Sequence, residues 1–295
     1  AVIAQWSHLI ELAIRISLAY EPYLGTINPS NMYSATILTA LEKGTDAYQN
    51  GVKFNNSALL NCGFATLVDS VMAVKEFVYD KKEISLEEFK TALDNNWNGY
   101  EMLHAKVLNS THKYGCGDAE TDRYASALAA YFSNKVNNRP NARGGVYKAI
   151  MHSARMFIEQ GHKTSATPDG RSAGAECSKN ASPSVGMDKN GVTAFINSLL
   201  KARGDIHFGT VQNMKFSKDT FNGMRQTVIV PLLQSYFGRG GTQAMINVLG
   251  REDLENARKT PEKYANLIVR VGGFSARYVE LPDDVQLDIL NRTLN

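Results

Sequence analysis

Apolar residues recur at helical spacing from the first residues of the chain onward. Ile3, Trp6 and Ile10 fall on one face of a helix predicted over residues 1–24, and neighbouring apolar positions widen that face. The same periodicity, helped by a capping box from Ser85 to Glu88, predicts further helices. They cover residues 34–43, 68–79, 86–95, 121–136, 144–160, 193–202, 251–260, 261–267 and 282–292.

Extended segments are fewer. The pattern predicts strands at residues 206–215 and 243–249, and two extended segments around a Gly pair within residues 268–281. Residues 161–191 are rich in Pro and Gly and predict the longest loop of the chain. The loop-rich passage at residues 44–56 could line a cleft or cross the surface. Together these segments indicate a mixed α/β chain with much helix.

The first helix starts at Ala1 without a Ser, Thr, Asp or Asn that could cap it. We therefore expect the chain to be cut inside or just before an element and to be a piece of something longer. The pattern shows no apolar run of the length expected for a transmembrane helix, and no signal peptide.

The size, hydrophobic content and net charge of the chain limit the classes of protein to which it can belong. With 295 residues, of which 43% are hydrophobic, the chain can bury a sizeable core. The formal net charge of +3, from 32 basic and 29 acidic residues, is too balanced to indicate binding to nucleic acid or to an anionic membrane.

Cysteines and histidines do not form a recognisable metal or disulfide pattern. Cys62, Cys116 and Cys177 are widely spaced, which fits structural cysteines in a reducing cytosol. The spacing of the histidines predicts no metal site, and the acidic cluster at the start of one helix is interpreted as a solvated helix start. The histidines in question are His104, His112, His152, His162 and His207. The acidic cluster consists of Asp118, Glu120 and Asp122.

The segment at residues 268–281 is the most informative. A Gly pair between extended segments is ordinarily a turn. Arg270-Val271-Gly272-Gly273 followed by Phe274, however, resembles the glycyl radical motif of the pyruvate formate-lyase family, with Gly273 in the radical position. A radical on an α-carbon is delocalised over the flanking amide groups and requires a flat carbon, which a Cβ would hinder.

Further stretches resemble the same family in the same order. They are Asn50 to Asn55 (Asn-Gly-Val-Lys-Phe-Asn, where the family has Gly first), Asp69 to Lys75, Thr167 to Gly174, Ser182-Pro183, and Gln243 to Asn247. The resemblance covers nearly the whole chain. It implies an α/β fold, namely the C-terminal part of a ten-stranded α/β barrel made of two antiparallel five-stranded half-barrels surrounded by helices. Residues 1–235 would belong to the barrel and residues 236–295 to a glycine radical domain.

The resemblance also implies a mechanism. A radical S-adenosylmethionine (SAM) activating enzyme would take a hydrogen atom from Gly273, and no small-molecule cofactor would stay bound. The radical would pass to a cysteine that the family places upstream of the segment resembling residues 1–60. Arg270, Val271, Gly272 and Phe274 would support the radical loop. For Phe274 alone, packing in the core is the expected role, and for Arg270 hydrogen bonds that fix the loop.

The reaction is left open by the sequence. We expect an oxygen-sensitive, cytoplasmic lyase of anaerobic metabolism, a homodimer that cleaves a C–C, C–O or C–N bond or decarboxylates a small organic substrate. The sequence that follows Gly273 resembles that of arylacetate decarboxylases and hydrocarbon succinate synthases somewhat more closely than that of formate acetyltransferase. The reactions of diol dehydratases and amine lyases also stay possible. The alternatives are formate C-acetyltransferase and a non-catalytic chain that supplies a radical or is truncated.

Overall fold

A computed structural model of the chain describes residues 1–187, 189–202, 209–216, 222–223, 225–248, 250–271 and 274–291. Its backbone divides into two units. The described part of unit 1 consists of Ala1–Leu60 and Ala130–Ile150. Unit 2 consists of Asn61–Ala129, Met151–Asp205 and Gly209–Asn295.

Helices predominate over strands. The α-helices are α1 (Val2–Tyr20), α2 (Leu24–Ile27), α3 (Asn31–Ser34), α4 (Leu38–Lys43), α5 (Phe64–Val74), α6 (Leu86–Asp94), α7 (Glu101–Leu108), α8 (Ala119–Val136), α9 (Met156–His162), α10 (Gly191–Lys201), α11 (Val230–Gly238), α12 (Arg251–Lys259) and α13 (Asp283–Asn291). The strands are β1 (Ser57–Leu60), β2 (Tyr147–Met151), β3 (Gly209–Thr210), β4 (Asn213–Lys215), β5 (Met245–Asn247), β6 (Ile268–Arg270) and β7 (Ser275–Arg277). Short 3₁₀ or π turns are Glu21–Tyr23, Ala47–Gln49, Lys75–Asp80, Arg225–Ile229, Pro261–Tyr264 and Tyr278–Glu280.

The core of unit 1 forms between α1 and the end of α8. Ile10 and Ile14 of α1 are buried with Phe132 and Val136, and Trp6 stacks on Phe132 with ring centroids 5.7 Å apart. Strand β1 runs parallel to the part of β2 from residue 147 to residue 150, whose Tyr147 and Ala149 join the same cluster. The predicted helix is confirmed, and Trp6 and Ile10 of its predicted face pack here. Ile3 of that face is exposed, as are Val2, Leu9 and Ile16 beside it, so the packed face is narrower than predicted.

A buried carboxylate joins distant segments of unit 1. Glu21 is 3% exposed, accepts a hydrogen bond from the Ser57 hydroxyl, and accepts a second from the Ala142 backbone N–H at 3.0 Å. Asn55 of the loop-rich passage is also buried and exchanges hydrogen bonds with Arg143. This passage lines a hollow of about 370 Å³ in unit 1, which favours the first of the two interpretations left open above.

The sequence pattern predicts no membrane-length helix, but one stretch reaches that length. The helical stretch Val2–Ile27 has 26 residues and contains an 18-residue window with a mean hydropathy of 1.2, which meets the criterion for a membrane span by length and composition alone. Core helices of soluble proteins meet the same criterion. Within unit 1, Glu11 of this stretch forms an ion pair with Arg139 at 2.6 Å, which lowers the pKa of the Glu11 carboxyl.

Two isoleucines on α1 provide a matched test of the unit 1 core. Ile14 is 1% exposed and Ile16 is 57% exposed. We expect Ile14→Ala to lower the free energy of unfolding by about 2–5 kcal/mol, because it leaves a cavity in a packed cluster. Chemical denaturation of the protein expressed from its complete gene measures the change, and Ile16→Ala is the control, with an expected change within about 0.5 kcal/mol. Equal effects would contradict the packing of α1.

Unit 2 contains a second core around α5, α6 and α7. Phe77, Phe89, Trp97 and Val107 are buried there, and Phe89 meets Trp97 edge to face at 5.8 Å. Helix α6 begins as the sequence predicts, because the Ser85 hydroxyl accepts a hydrogen bond from the Glu88 N–H at 3.1 Å.

Several predicted elements differ from the structure. The helix predicted at residues 144–160 is wrong in its first part, because β2 occupies Tyr147–Met151 and α9 begins at Met156. Residues 147, 149 and 151 are buried and alternate with partly buried neighbours, which is the period of a strand. Strand β1 and helix α7 were not predicted. Residues 206–208, the first part of the strand predicted at 206–215, lie outside the described residues.

Candidate radical site

The candidate motif lies on an antiparallel hairpin in unit 2. Strand β6 pairs with β7 in the register Ile268 to Arg277, Val269 to Ala276 and Arg270 to Ser275. One step further, the Val271 N–H donates to the Phe274 carbonyl at 3.0 Å. Two extended segments therefore flank the Gly pair, in agreement with the sequence.

Gly273, the predicted radical position, and Gly272 beside it lie outside the described residues. Their immediate neighbours are described on both sides. The hydrogen bond between Val271 and Phe274 brings together the two residues that precede and follow the pair. The roles predicted for the two glycines stay predictions.

Side chains next to the pair have distinct environments. Arg270 donates from Nη1 to the Ser275 hydroxyl across the hairpin at 3.2 Å, a contact of the kind expected for a residue that fixes the loop. Val271 packs against the buried cluster below. Phe274 is 54% exposed, so its expected packing in the core is wrong for this structure. The described residues of the apolar cluster that Val269 enters do not include Phe274.

The hairpin rests on an apolar cluster built from the end of the chain. Val269 and Tyr278 are buried against residues of α9, α12 and α13, namely Phe157, Ile158, Leu254, Ala257, Val285, Ile289 and Leu290. Burial raises the pKa of the Tyr278 phenol, and its hydroxyl donates to the Gln286 carbonyl of α13 at 3.0 Å. The strands that carry the motif are thereby attached to three helices.

Ion pairs fasten α13 beneath this cluster. Asp284 binds Arg155 at 2.9 Å and Asp283 binds Arg258 at 2.7 Å, both at the exposed start of the helix. Asp288 forms a buried ion pair with Lys179, whose ammonium also lies 4.6 Å from the centre of the Phe157 ring. Both partners are almost completely buried, with 7% and 4% of their side chains exposed.

Sequence reasoning did not select Lys179 or Asp288. A signal for Asp288 was available, because Val285 and Ile289 place it on the apolar face of a predicted helix. A carboxylate on such a face requires a buried partner. Lys179 lies in a Pro- and Gly-rich loop, and no local pattern marks it as that partner.

Two cysteines pack beside the same cluster. Cys62 and Cys177 are partly buried against it, and none of the described cysteines forms a disulfide. Burial raises the pKa of the Cys62 thiol to about 12, and burial also raises the pKa of Cys177. Both thiols therefore stay protonated at neutral pH, which agrees with the structural role expected for them.

His104 and His112 make contacts within unit 2. His104 stacks on Trp97 at 4.7 Å and its Nε2 lies 2.7 Å from the Gly170 carbonyl, while His112 Nδ1 lies 3.2 Å from Asp118. Within the described ranges, no group of three or more His, Cys, Asp or Glu could hold a metal ion. His207 lies outside those ranges.

The acidic start of α8 was only partly predicted. Asp118 accepts hydrogen bonds from the N–H and hydroxyl of Thr121 at 2.8 and 2.6 Å, as expected at a helix start. Asp122 is not solvated, since it is 1% exposed and forms an ion pair with Lys201 at 2.7 Å.

Comparison with known families accounts for most of the chain. Residues 1–160 match the family described as pyruvate formate lyase-like, and residues 177–279 match the family described as glycine radical. The second match includes the whole hairpin with Gly273.

Individual relatives agree with these matches. The trans-4-hydroxy-L-proline dehydratase of Clostridioides difficile is 31% identical over 98% of this chain and 37% of its own length. The 4-hydroxyphenylacetate decarboxylase glycyl radical subunit of the same species is 31% identical over 86% of this chain and 31% of its own. The B12-independent glycerol dehydratase from Clostridium butyricum, solved with glycerol bound, has a TM-score of 0.90 at 32% identity, covering 99% of this chain and 37% of its own. The chain thus spans about a third of the length of these relatives.

Proposed function

Because the chain belongs to the pyruvate formate lyase-like family, we propose that it is part of a glycyl radical lyase that stores its radical on Gly273. The observation that carries this proposal is the Arg-Val-Gly-Gly motif between the paired strands β6 and β7, inside the region that matches the glycine radical family. The two strands hold the backbone extended on both sides of the pair.

The proposed steps conserve atoms and electrons. A radical SAM activating enzyme removes one hydrogen atom from the Gly273 α-carbon and leaves one unpaired electron there. In turnover, a cysteine located upstream of the segment matching residues 1–60 gives its S–H hydrogen to Gly273. The resulting thiyl radical takes a hydrogen atom from the substrate, the substrate bond breaks, and the product radical regains a hydrogen atom from the thiol.

Within this chain, the supporting roles fall to the neighbours of Gly273. Arg270 holds the facing strand through Ser275, and Val271 joins the loop to the apolar cluster. We propose that Gly272 gives the backbone the freedom that the loop needs. Phe274, exposed here, is proposed to shield the radical loop against the rest of the protein rather than to fill the core.

Elimination of water is the reaction that the relatives favour, because the dehydratases match nearly the whole chain. We therefore propose a small hydroxylated organic substrate and cleavage of a C–O bond. Decarboxylation is the second candidate, supported by the 31% identity to the 4-hydroxyphenylacetate decarboxylase subunit. Formate acetyltransferase and a chain that only supplies the radical are the remaining alternatives.

The reaction class is testable with a substrate panel. The protein expressed from its complete gene is activated without oxygen and incubated with trans-4-hydroxy-L-proline, glycerol, 4-hydroxyphenylacetate, or pyruvate with coenzyme A. We expect loss of water from a hydroxylated compound. Release of CO₂ from the arylacetate would establish the decarboxylase instead, and formate from pyruvate the acetyltransferase. An activated protein that converts none of them but restores a relative lacking its own radical would be a radical supplier.

The proposed architecture is the C-terminal part of a ten-stranded α/β barrel for residues 1–235 and a glycine radical domain for residues 236–295. The parallel pairs β1 with β2 and β4 with β5 support it, since parallel strands require helical crossovers. We also propose a cytoplasmic homodimer. In this chain the two pairs belong to separate sheets. An experimental structure of the protein expressed from its complete gene that still keeps them in separate open sheets would contradict the barrel.

A further inference from the structure

Unit 2 contains a cavity of about 150 Å³ whose lining includes none of the described residues of the radical motif. Its polar walls come from α5, from the segment before α8 and from the loop after α9. The polar residues of the lining include Asp69, Ser184, Lys113 and Asp169, and its apolar residues include Leu108 and Val185.

One wall of the cavity carries acceptors without a partner. Asp69 is 1% exposed, and its Oδ1 accepts a hydrogen bond from the Tyr114 N–H at 2.7 Å, whereas its Oδ2 has no partner. The Ser184 hydroxyl is also buried and unpartnered. It is near enough to lower the pKa of Asp69 but lies outside hydrogen-bonding geometry with it. Buried polar atoms in native proteins nearly always have a partner, so this pair indicates a missing one.

A second wall carries a buried ammonium group. Lys113 is 2% exposed and its Nζ donates to the Asp169 carbonyl at 2.7 Å. An ammonium has three N–H donors, and this bond uses one of them. Its charge lowers the pKa of Asp69, yet Asp69 Oδ2 has no hydrogen bond from it. The cavity therefore presents a carboxylate and an ammonium that attract each other without a direct bond.

The other cation of the lining, Arg171, already forms hydrogen bonds within its own loop. Arg171 donates to Thr167 Oγ1 and to the carbonyls of residues 164, 165, 172 and 175, so it braces its own loop. A metal ion is a poor match, because Lys113 would repel it and the described residues contain no ligand cluster for one. A molecule that carries both charges satisfies both walls.

We propose that this cavity binds a small zwitterion of the size of glycine or alanine, with its ammonium group on Asp69 and Ser184 and its carboxylate on Lys113. The size follows from the volume, since a dry engineered cavity of about 150 Å³ in another protein holds one benzene ring. Leu108 and Val185 leave room for hydrogen or a methyl group as the side chain. The site does not depend on the radical chemistry and would act as a ligand site in the unactivated protein.

Isothermal titration calorimetry of the unactivated protein, expressed from its complete gene, tests the site with glycine as the probe. We expect saturable binding that Asp69→Asn and Lys113→Met each weaken at least tenfold. Asp94→Asn, which alters an exposed carboxylate of α6 paired with Lys90, is the matched control and should leave binding unchanged. Ser184→Ala, which removes only an unpartnered hydroxyl, replaces Asp69→Asn if circular dichroism shows that the latter does not fold.

Probes that carry one charge separate the alternatives. Methylammonium and acetate each match one wall and should bind at least tenfold more weakly than glycine. Methylammonium binding as tightly as glycine, with no effect of Lys113→Met, would replace the zwitterion site with a cation site. Glycerol binding as tightly as glycine would replace it with a site for neutral polyols. Absence of heat with every probe would mean that the cavity holds only water, and would overturn the proposal.

The pH dependence provides an independent readout. Burial raises the pKa of Asp69 to about 7, opposed by Lys113, by the Tyr114 N–H and by Ser184, and reinforced by Asp169. Arg171, Glu176 and Cys177 are the other ionisable groups of the lining. Because the zwitterion requires the ionised carboxylate, glycine affinity should fall as the pH drops below about 7. Asp69→Asn should remove this dependence, whereas a water-filled cavity would show none.

Discussion

Replacing Gly273 with alanine is expected to abolish the organic radical. Wild-type protein, treated without oxygen with its radical SAM activating enzyme, should give an electron paramagnetic resonance doublet, split by the one hydrogen left on the α-carbon. Alanine adds a Cβ that hinders the flat geometry on which delocalisation depends. We expect no doublet and no substrate turnover in Gly273→Ala.

A second glycine in the predicted radical domain is the control. A Cβ built on Gly238 meets no atom within 4 Å, and Gly238 does not have the left-handed backbone conformation that alanine avoids. Gly238→Ala should therefore keep the wild-type doublet. A doublet in Gly273→Ala would assign the radical to another residue. The absence of a doublet in the wild type, with an activating enzyme competent on another target, would leave Gly273 an ordinary turn glycine.

Removing the charge of Asp288 is expected to be the most destabilising change among the ion pairs of α13. Of its described carboxylate partners, the buried Lys179 ammonium would keep only Glu176, whose Oε1 lies 3.8 Å away, and loss of the partner from a buried pair costs about 3–5 kcal/mol in comparable cases. Asp288→Asn should therefore loosen α13 and the hairpin above it. Amide hydrogen exchange in α13 measures the opening, and protection should fall about a hundredfold or more.

Two further variants separate the buried pair from surface charges. Asp283→Asn removes an ion pair with Arg258 from a carboxylate that is 76% exposed, so its cost should stay below about 1 kcal/mol. The double variant Lys179→Met with Asp288→Leu should recover most of the protection, because two apolar side chains need no partner. Similar losses in Asp288→Asn and Asp283→Asn would show that the buried pair contributes no more than the exposed one.

The radical motif could be predicted from the sequence because it depends on the residue types within one short segment. The absence of a Cβ is a property of Gly273 itself. Ser85 with Glu88 determines where a helix begins, and Pro and Gly determine turns in the long loop, in each case through residues that are adjacent in sequence. Family membership followed from the order of several such stretches, and the matches over residues 1–160 and 177–279 confirm it. Helix α1 was predictable for the same reason, since its apolar period is complete within one segment.

Features that depend on contacts between distant segments could not be predicted from the sequence. Strand β2 was mistaken for helix because its apolar residues are explained by pairing with β1 and packing on α1, neither of which is near in sequence. The exposure of Phe274 and the bond between Arg270 and Ser275 follow from the register of the hairpin. The sequence by itself thus determined the family and the proposed radical residue, because both rest on local residue types. Only the tertiary structure decided that Lys179 meets Asp288, and that Asp69 and Lys113 share a cavity, because burial and charge pairing arise where separate segments meet.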